Sequence, residues 1–224
     1  MKLPNETNTH GKWYDDACGT AFAMELVGER WSLLIVRELM FGPLRFSDLR
    51  AGLPGISAKV LTERLGGLKE AGILVRRTLP PPGKVQVYEL TRWGYAADVA
   101  IMELGRWAAL STRHDPTLQL SPASLMMSFR TMIDHAAAGA LSADLGFAVA
   151  GQEFRARLAD GELNIARGEV AGADAILRAP DAALVAAHVY GDVPLANLPG
   201  VAVEGDADLL ARFAALIFLP PRIG

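Results

Sequence analysis

RWSLLIVRELMFGPLRFSDLRAGLPGISAKVLTERLGGLKEAGILVRRT, residues 30–78, is the stretch that decides the fold. Its apolar residues first recur at helical spacing. Leu34, Ile35, Leu39 and Met40 stand among Arg37 and Glu38, which predicts a helix over 31–41 that Gly42-Pro43 stops. A short helix over 46–51 follows, then the turn Leu53-Pro54-Gly55. Ser57 offers an N-cap for a helix over 57–71, whose Leu61, Leu65 and Leu68 share one face and which Gly72 ends. The period then changes: 73–79 and 84–90 read as strands around Pro80-Pro81-Pro82-Gly83, a hairpin with a stiff tip. Further out, Thr91 caps a helix to about 110 with Ala97, Ile101, Leu104 and Ala108 along one side. Upstream, 16–27 reads as a helix with Ala17, Ala21, Met24 and Val27 on one face, closed by Gly28.

Three helices, a ribbon and a further helix is the order of a winged helix-turn-helix. The charge distribution agrees. Between 30 and 92 eleven Lys and Arg stand against five Asp and Glu, a balance of +6, while 119–224 holds seven basic and twelve acidic residues, a balance of −5. A positive region is drawn to a polyphosphate and an acidic one repelled, so the first half is expected to face double-stranded DNA. A recognition helix buries one stripe and offers short polar or basic side chains to the major groove. Opposite the leucines lie Ser57, Lys59, Thr62 and Glu63, with Lys59 and Thr62 placed nearest base edges or flanking phosphates. Arg64 lies nearer the buried side, where it either reaches a phosphate or pairs with Glu38 or Asp48. Arg76, Arg77 and Lys84 surround the proline tip and suit the DNA backbone or minor groove. With Arg45 these make the candidate DNA-contacting set. Taken singly each is an ordinary solvated charge; the order of the helices is what makes them a surface.

The run from Cys18 to Trp107 resembles the HxlR-type family of winged-helix regulators. The pieces that carry the resemblance are Gly28 and Trp31, Gly42-Pro43-Leu44-Arg45-Phe46, Leu53-Pro54-Gly55-Ile56-Ser57, and Leu61-Thr62 with Arg64-Leu65, over roughly ninety residues. The resemblance implies a homodimer built from the first and last helices of this part. It also implies a pseudo-palindromic operator read by two recognition helices about one helical turn apart. Gly66-Gly67 departs from good helix-forming chemistry, at about 1 kcal/mol each relative to alanine, and is expected to fray or bend the helix. Cys18 stands where some members carry a sensing thiol. Helix-start amides favour its thiolate, and the plain alternative is a small core residue.

After 113–121, a proline-containing linker, the second half reads as a small α+β domain. A helix over 123–138 carries Leu125, Met126, Phe129, Met132 and Ile133 as a stripe. Phe154, Ala156 and Leu158 alternate with arginines, Asp160-Gly161 makes a hairpin turn, and Leu163 and Ile165 return. Further strands are expected at 145–150, 173–179 and 201–204, with helices at 180–190 and 206–218. Asp174-Ala175-Ile176-Leu177, the helix after Pro180, and Val203-Glu204-Gly205-Asp206 resemble the sterol-carrier-protein-like lipid-binding fold. That resemblance implies a hydrophobic small-molecule effector. Twenty-five alanines after 118 either leave a tunnel open or pack densely, and composition does not decide between them. Phe129, Met132, Phe147, Phe154 and Phe213 are the candidate wall residues; their periodicity also fits plain core.

The expected whole is therefore α+β: a winged helix domain for DNA binding and dimerisation over 1–112, the linker, and an effector domain over 122–224. Composition excludes other classes. A hydrophobic fraction of 51% rules out extensive disorder, and no apolar run is long enough to span a bilayer. The first residues lack a secretory pattern and a single cysteine fits a reducing compartment, so a cytoplasmic protein is expected. His10, His114, His135 and His188 lack metal-ligand spacing, and neither a phosphate loop nor a nucleophile motif is present. No metal, cofactor or catalysis is expected. The function predicted is a regulator, a repressor controlled by an effector in its second half or, alternatively, by the Cys18 thiol with the second half structural.

Overall fold

The computed structural model describes residues 14–80 and 84–223. In the first half α1 (Gly19–Val27), α2 (Ser32–Leu39), α3 (Phe46–Gly52) and α4 (Ala58–Glu70) precede an antiparallel ribbon, β1 (Leu74–Thr78) and β2 (Gln86–Leu90). The core is the one the spacing predicts, with Ile35, Leu39, Leu61, Leu65 and Leu68 all buried, although Leu34 turns to the surface. Ser57 caps α4 by accepting from the Val60 N–H at 3.2 Å. The helix is continuous through Gly66-Gly67 to Glu70, with Leu65 and Leu68 buried on either side of the pair. Leu44 exchanges two backbone hydrogen bonds with Tyr88, at 3.0 and 2.8 Å, and so attaches the α2–α3 connection to the ribbon.

The long helix expected after Thr91 is two: α5 (Arg92–Tyr95) and α6 (Asp98–Ala109). Thr91 fixes the start of α5, accepting from Gly94 N–H at 3.0 Å and donating to the Gly72 carbonyl at 2.8 Å. Ala96 and Ala97 then bond three residues back, which tightens the backbone and ends the first segment. The helix expected over 123–138 is likewise divided, into α7 (Pro122–Met132) and α8 (His135–Ala138). Asp134 interrupts it by accepting from the N–H groups of Ala136 and Ala137, both at 3.0 Å, and so starts a new helix.

The second half is one five-stranded sheet, in the order β5-β4-β3-β6-β7, of β3 (Ala143–Val149), β4 (Gln152–Ala159), β5 (Glu162–Arg167), β6 (Ala175–Ala179) and β7 (Ala202–Gly205). Only the central β3–β6 pair is parallel. Asp160-Gly161 turns β4 into β5 with both residues at positive φ, the twist-matched hairpin turn. The helices α9 (Ala182–Gly191) and α10 (Ala207–Ala214) follow β6 and β7. Gly205 has φ +82, and a β-carbon there would stand 2.3 Å from the Asp174 carbonyl oxygen, so β7 closes against β6 only with glycine at that corner.

The five candidate wall residues are all buried in the core, the plainer of the two readings that their periodicity allows. Phe129, Phe147 and Phe213 close on one another with centroids 5.5, 5.9 and 6.0 Å apart, and Met132 is buried at the end of α7. Phe154 and Phe41, in the turn just after α2, meet edge to face at 5.6 Å. Large rings at this spacing leave no void between them. The same apolar core runs without interruption from Leu39 in the first half to Phe213 in the second.

Candidate nucleic-acid interface

The lysine and hydroxyl side chains of α4 meet solvent for a geometric reason. Three leucines at positions 61, 65 and 68 hold one face against α2, so Lys59 and Thr62 are turned outward. Among the described residues Lys59 has neither an ion-pair nor a hydrogen-bond partner, and Arg45 stands exposed at the start of α3. Thr62 spends its hydroxyl proton on the Ala58 carbonyl at 2.9 Å, leaving oxygen lone pairs for an incoming donor. Ser57 is exposed but its oxygen is occupied by the cap.

Arg64 forms an ion pair, with a different partner from the two expected. Its Nη2 donates to Glu29 at 2.9 Å and its Nε to the Arg30 carbonyl at 3.1 Å, so it pairs neither with Glu38 nor with Asp48. Glu38 is out of reach because it is buried beneath the seam with the second half. The ribbon also separates two residues that the sequence lists side by side. Consecutive strand residues point to opposite faces. Arg76 bonds Gln86 and stands 6.0 Å from the Tyr88 ring, whereas Arg77 is held by Glu89 on the other face, a hydrogen bond that raises its pKa. Lys84 is exposed with φ +37. The proline tip at 81–83, like His10, lies outside the described residues.

Sequence spacing gave no hint of how the halves are joined. Glu38, on the buried side of α2, accepts from Ser121 Oγ at 2.6 Å and from Arg37 Nη2 at 2.8 Å. Ser121 at the same time caps α7, accepting from the Ser124 N–H at 3.0 Å. Gly52 makes room for this: a β-carbon there would stand 2.6 Å from Glu38 Oε2. At its other end α7 holds α6 by a bidentate pair, Arg130 to Asp98, at 2.9 and 2.6 Å. Arg167 of β5 lies 4.9 Å over the Phe154 ring; burial lowers its pKa, and the charges of Glu38 and Asp48 oppose that. The one detectable clue was a carboxylate, Glu38, set within an apolar stripe.

Two surfaces remain. The helix α1 buries no residue, and Phe22 and Met24 on it are exposed together with Val99, Leu104 and Trp107 on α6, the last at 70%. Among the expected stripe residues of α6 only Ile101 is buried. A recess of about 550 Å³ opens between the ends of α9 and α10, lined by Tyr190, Val193, Ala211, Ala214 and Phe218 among others. None of the five expected wall residues reaches it.

A buried leucine stripe behind an exposed polar helix, next to a two-stranded ribbon, defines a winged helix-turn-helix protein, the DNA-binding class. The comparisons name the family. The model described as HxlR-like helix-turn-helix matches residues 26–115. The transcriptional regulator YodB of Bacillus subtilis is 40% identical over 86 residues, which are 38% of this chain and 77% of that protein. An uncharacterised regulator of Mycobacterium tuberculosis, Rv3095, is 42% identical over 85 residues, 38% of this chain and 53% of its own. The solved structure of reduced YodB, 35% identical, covers 45% of this chain and all of its own, with a TM-score of 0.40. The chain belongs to the HxlR-like helix-turn-helix family, and it is a DNA-binding transcriptional regulator. No described helix is long and apolar enough to cross a membrane.

Proposed function

We propose that the chain acts as a homodimeric repressor on a pseudo-palindromic operator, with α4 in the major groove and the ribbon on the flanking backbone. The observation that carries this reading is the pairing of an outward-facing α4 with exposed apolar side chains on α1 and α6, Met24, Val99, Leu104 and Trp107. Exposed apolar area of that kind marks an interaction surface. Arg45, Lys59, Thr62 and Lys84 contact DNA directly, with Arg76 and Arg77 at the edges. Ser57 fixes the helix start. Residues 1–112 serve DNA binding and dimerisation, 113–121 connects, and 122–224 takes a hydrophobic effector of the kind the sterol-carrier-like resemblance implies. The recess between α9 and α10 is its site, because the phenylalanine cluster is closed. Tyr190 on its wall donates to Ser128 of α7 at 2.9 Å, which ties the recess to the helix that touches α2 and α6.

The test uses the full-length protein. Duplexes selected from a random pool should carry an inverted repeat with half-sites about 10 base pairs apart, and sedimentation should show a dimer. Selection of a single unrepeated site by a monomer would reject the dimer. A fluorescent fatty-acid probe titrated into the same protein should bind saturably and change DNA affinity. Absence of saturable binding removes the effector.

A second reading rests on Cys18. It is exposed, at the N-cap of α1. The amides of Thr20 and Ala21 and the Thr20 hydroxyl lower its pKa, although no cap hydrogen bond is formed to it. A lowered pKa means more thiolate at neutral pH than in an unfolded chain, and so faster alkylation. The alkylation midpoint of the native protein should lie below that of the urea-unfolded one, and modification should release DNA. Equal midpoints would dispose of this reading.

A further inference from the structure

Arg64 and the turn before α2 carry an inference that rests on the regulator reading above. On a helical period Arg64 stands roughly 140° from Lys59 and roughly 160° from Thr62, so it leaves α4 on a different side from the groove-facing residues. Its guanidinium is spent on Glu29 at 2.9 Å and on the Arg30 carbonyl at 3.1 Å. Both acceptors belong to the short turn that joins α1 to α2. The next residue, Trp31, stands in the left-handed region at φ +80, and its ring reaches towards Gly55, where a β-carbon would lie 3.9 Å from it. Arg30 covers that ring at 5.2 Å. Thus the middle of α4, through Arg64, and the turn ahead of its N-cap, through Gly55, both rest on one turn at the end of α1. Leu26 and Val27 hold the end of α1 on the protomer core, whereas Met24 on it is exposed, so what packs on that open side bears on where the turn sits.

We propose that Arg64 is a positioning residue: it transmits the placement of α1 to the recognition helix, and so sets how α4 sits in the groove, without contacting phosphate. Lysine should not replace it, because one ammonium cannot serve two acceptors in fixed directions as a guanidinium fork does.

The test compares full-length Arg64→Ala, Arg64→Lys and Glu29→Ala on a duplex selected from a random pool by the wild-type protein, and on a scrambled duplex of equal length. All three should bind the selected duplex about tenfold more weakly, as expected for loss of a charge-assisted hydrogen bond. Binding to the scrambled duplex, and the slope of log affinity against log salt, should not change. A phosphate contact predicts the opposite pattern: Arg64→Ala lowers the slope by about one and weakens both duplexes alike, Arg64→Lys is nearly normal, and Glu29→Ala is silent. That pattern overturns the proposal. Melting curves accompany each variant, and should Arg64→Ala fail to fold, Arg64→Lys decides by its specificity ratio, lowered if Arg64 positions α4 and nearly normal if it contacts phosphate. A wild-type protein that selects no duplex removes the regulator reading, and the proposal with it.

Discussion

The two halves differ in what most of their aromatic rings pack against. In the second, Phe129, Phe147 and Phe213 are buried against one another. In the first, Phe22, Met24, Leu104 and Trp107 stay exposed on α1 and α6, even though the protomer has a continuous core into which they could have been drawn. The difference teaches that apolar content alone does not locate a ligand site. The second half packs its rings into one body, whereas the first leaves part of its apolar surface exposed, the surface to which the proposed dimer is assigned.

The heaviest blow to this comparison would come from the phenylalanine cluster. Phe129→Ala should cost about 3–5 kcal/mol, measured by urea unfolding. Because the core is shared, fluorescence from the first half and circular dichroism of the whole should report one transition; two separated transitions would break the picture of a single body. Next in size is Trp107→Glu, which should dissociate the proposed dimer and make the melting temperature independent of protein concentration. Operator affinity should then fall about a hundredfold through loss of bivalent binding. A dimeric variant would show that α6 is not the interface. Arg130→Met should lose about 1–2 kcal/mol, given that both partners of its pair are about a quarter exposed and partly screened. A double-mutant cycle with Asp98→Asn measures the coupling between α7 and α6, and a coupling near zero would mean that the bidentate pair holds nothing. Smallest is Lys59→Ala, with affinity down less than tenfold and the salt slope reduced by about one; an unaltered slope takes Lys59 out of the interface.

The parts of the molecule that were legible beforehand are those fixed by local rules. Leucines at positions 61, 65 and 68, the caps at Ser57 and Thr91, and the Asp160-Gly161 turn each act within a few residues, and each lies where the chain predicts. What was illegible depends on encounters across the chain. Ser121 meets Glu38 over 83 positions and Arg130 meets Asp98 over 32, distances at which spacing carries no signal. The breaks at Ala96-Ala97 and Asp134 were missed because both stretches are rich in good helix formers, and the decisive agents are a tightened turn and a single capping carboxylate. The partner of Arg64 is hidden for a related cause: its helical angle shows which way it leaves α4, but not that Glu29 waits there. The phenylalanines lie inward, as their periodicity predicts, and periodicity alone cannot tell a cavity wall from a filled interior.

The hydroxyl of Ser121 has a bearing on how this regulator is best studied. It closes the first turn of one helix while serving a carboxylate on another, so the two halves cannot be separated without undoing both jobs at once. A piece ending near residue 115 would leave Glu38 to water and bare the side of α2 and α6 that α7 now covers. Dissection would thus manufacture a sticky surface absent from the intact molecule, and binding measured on either piece would describe the cut as much as the protein.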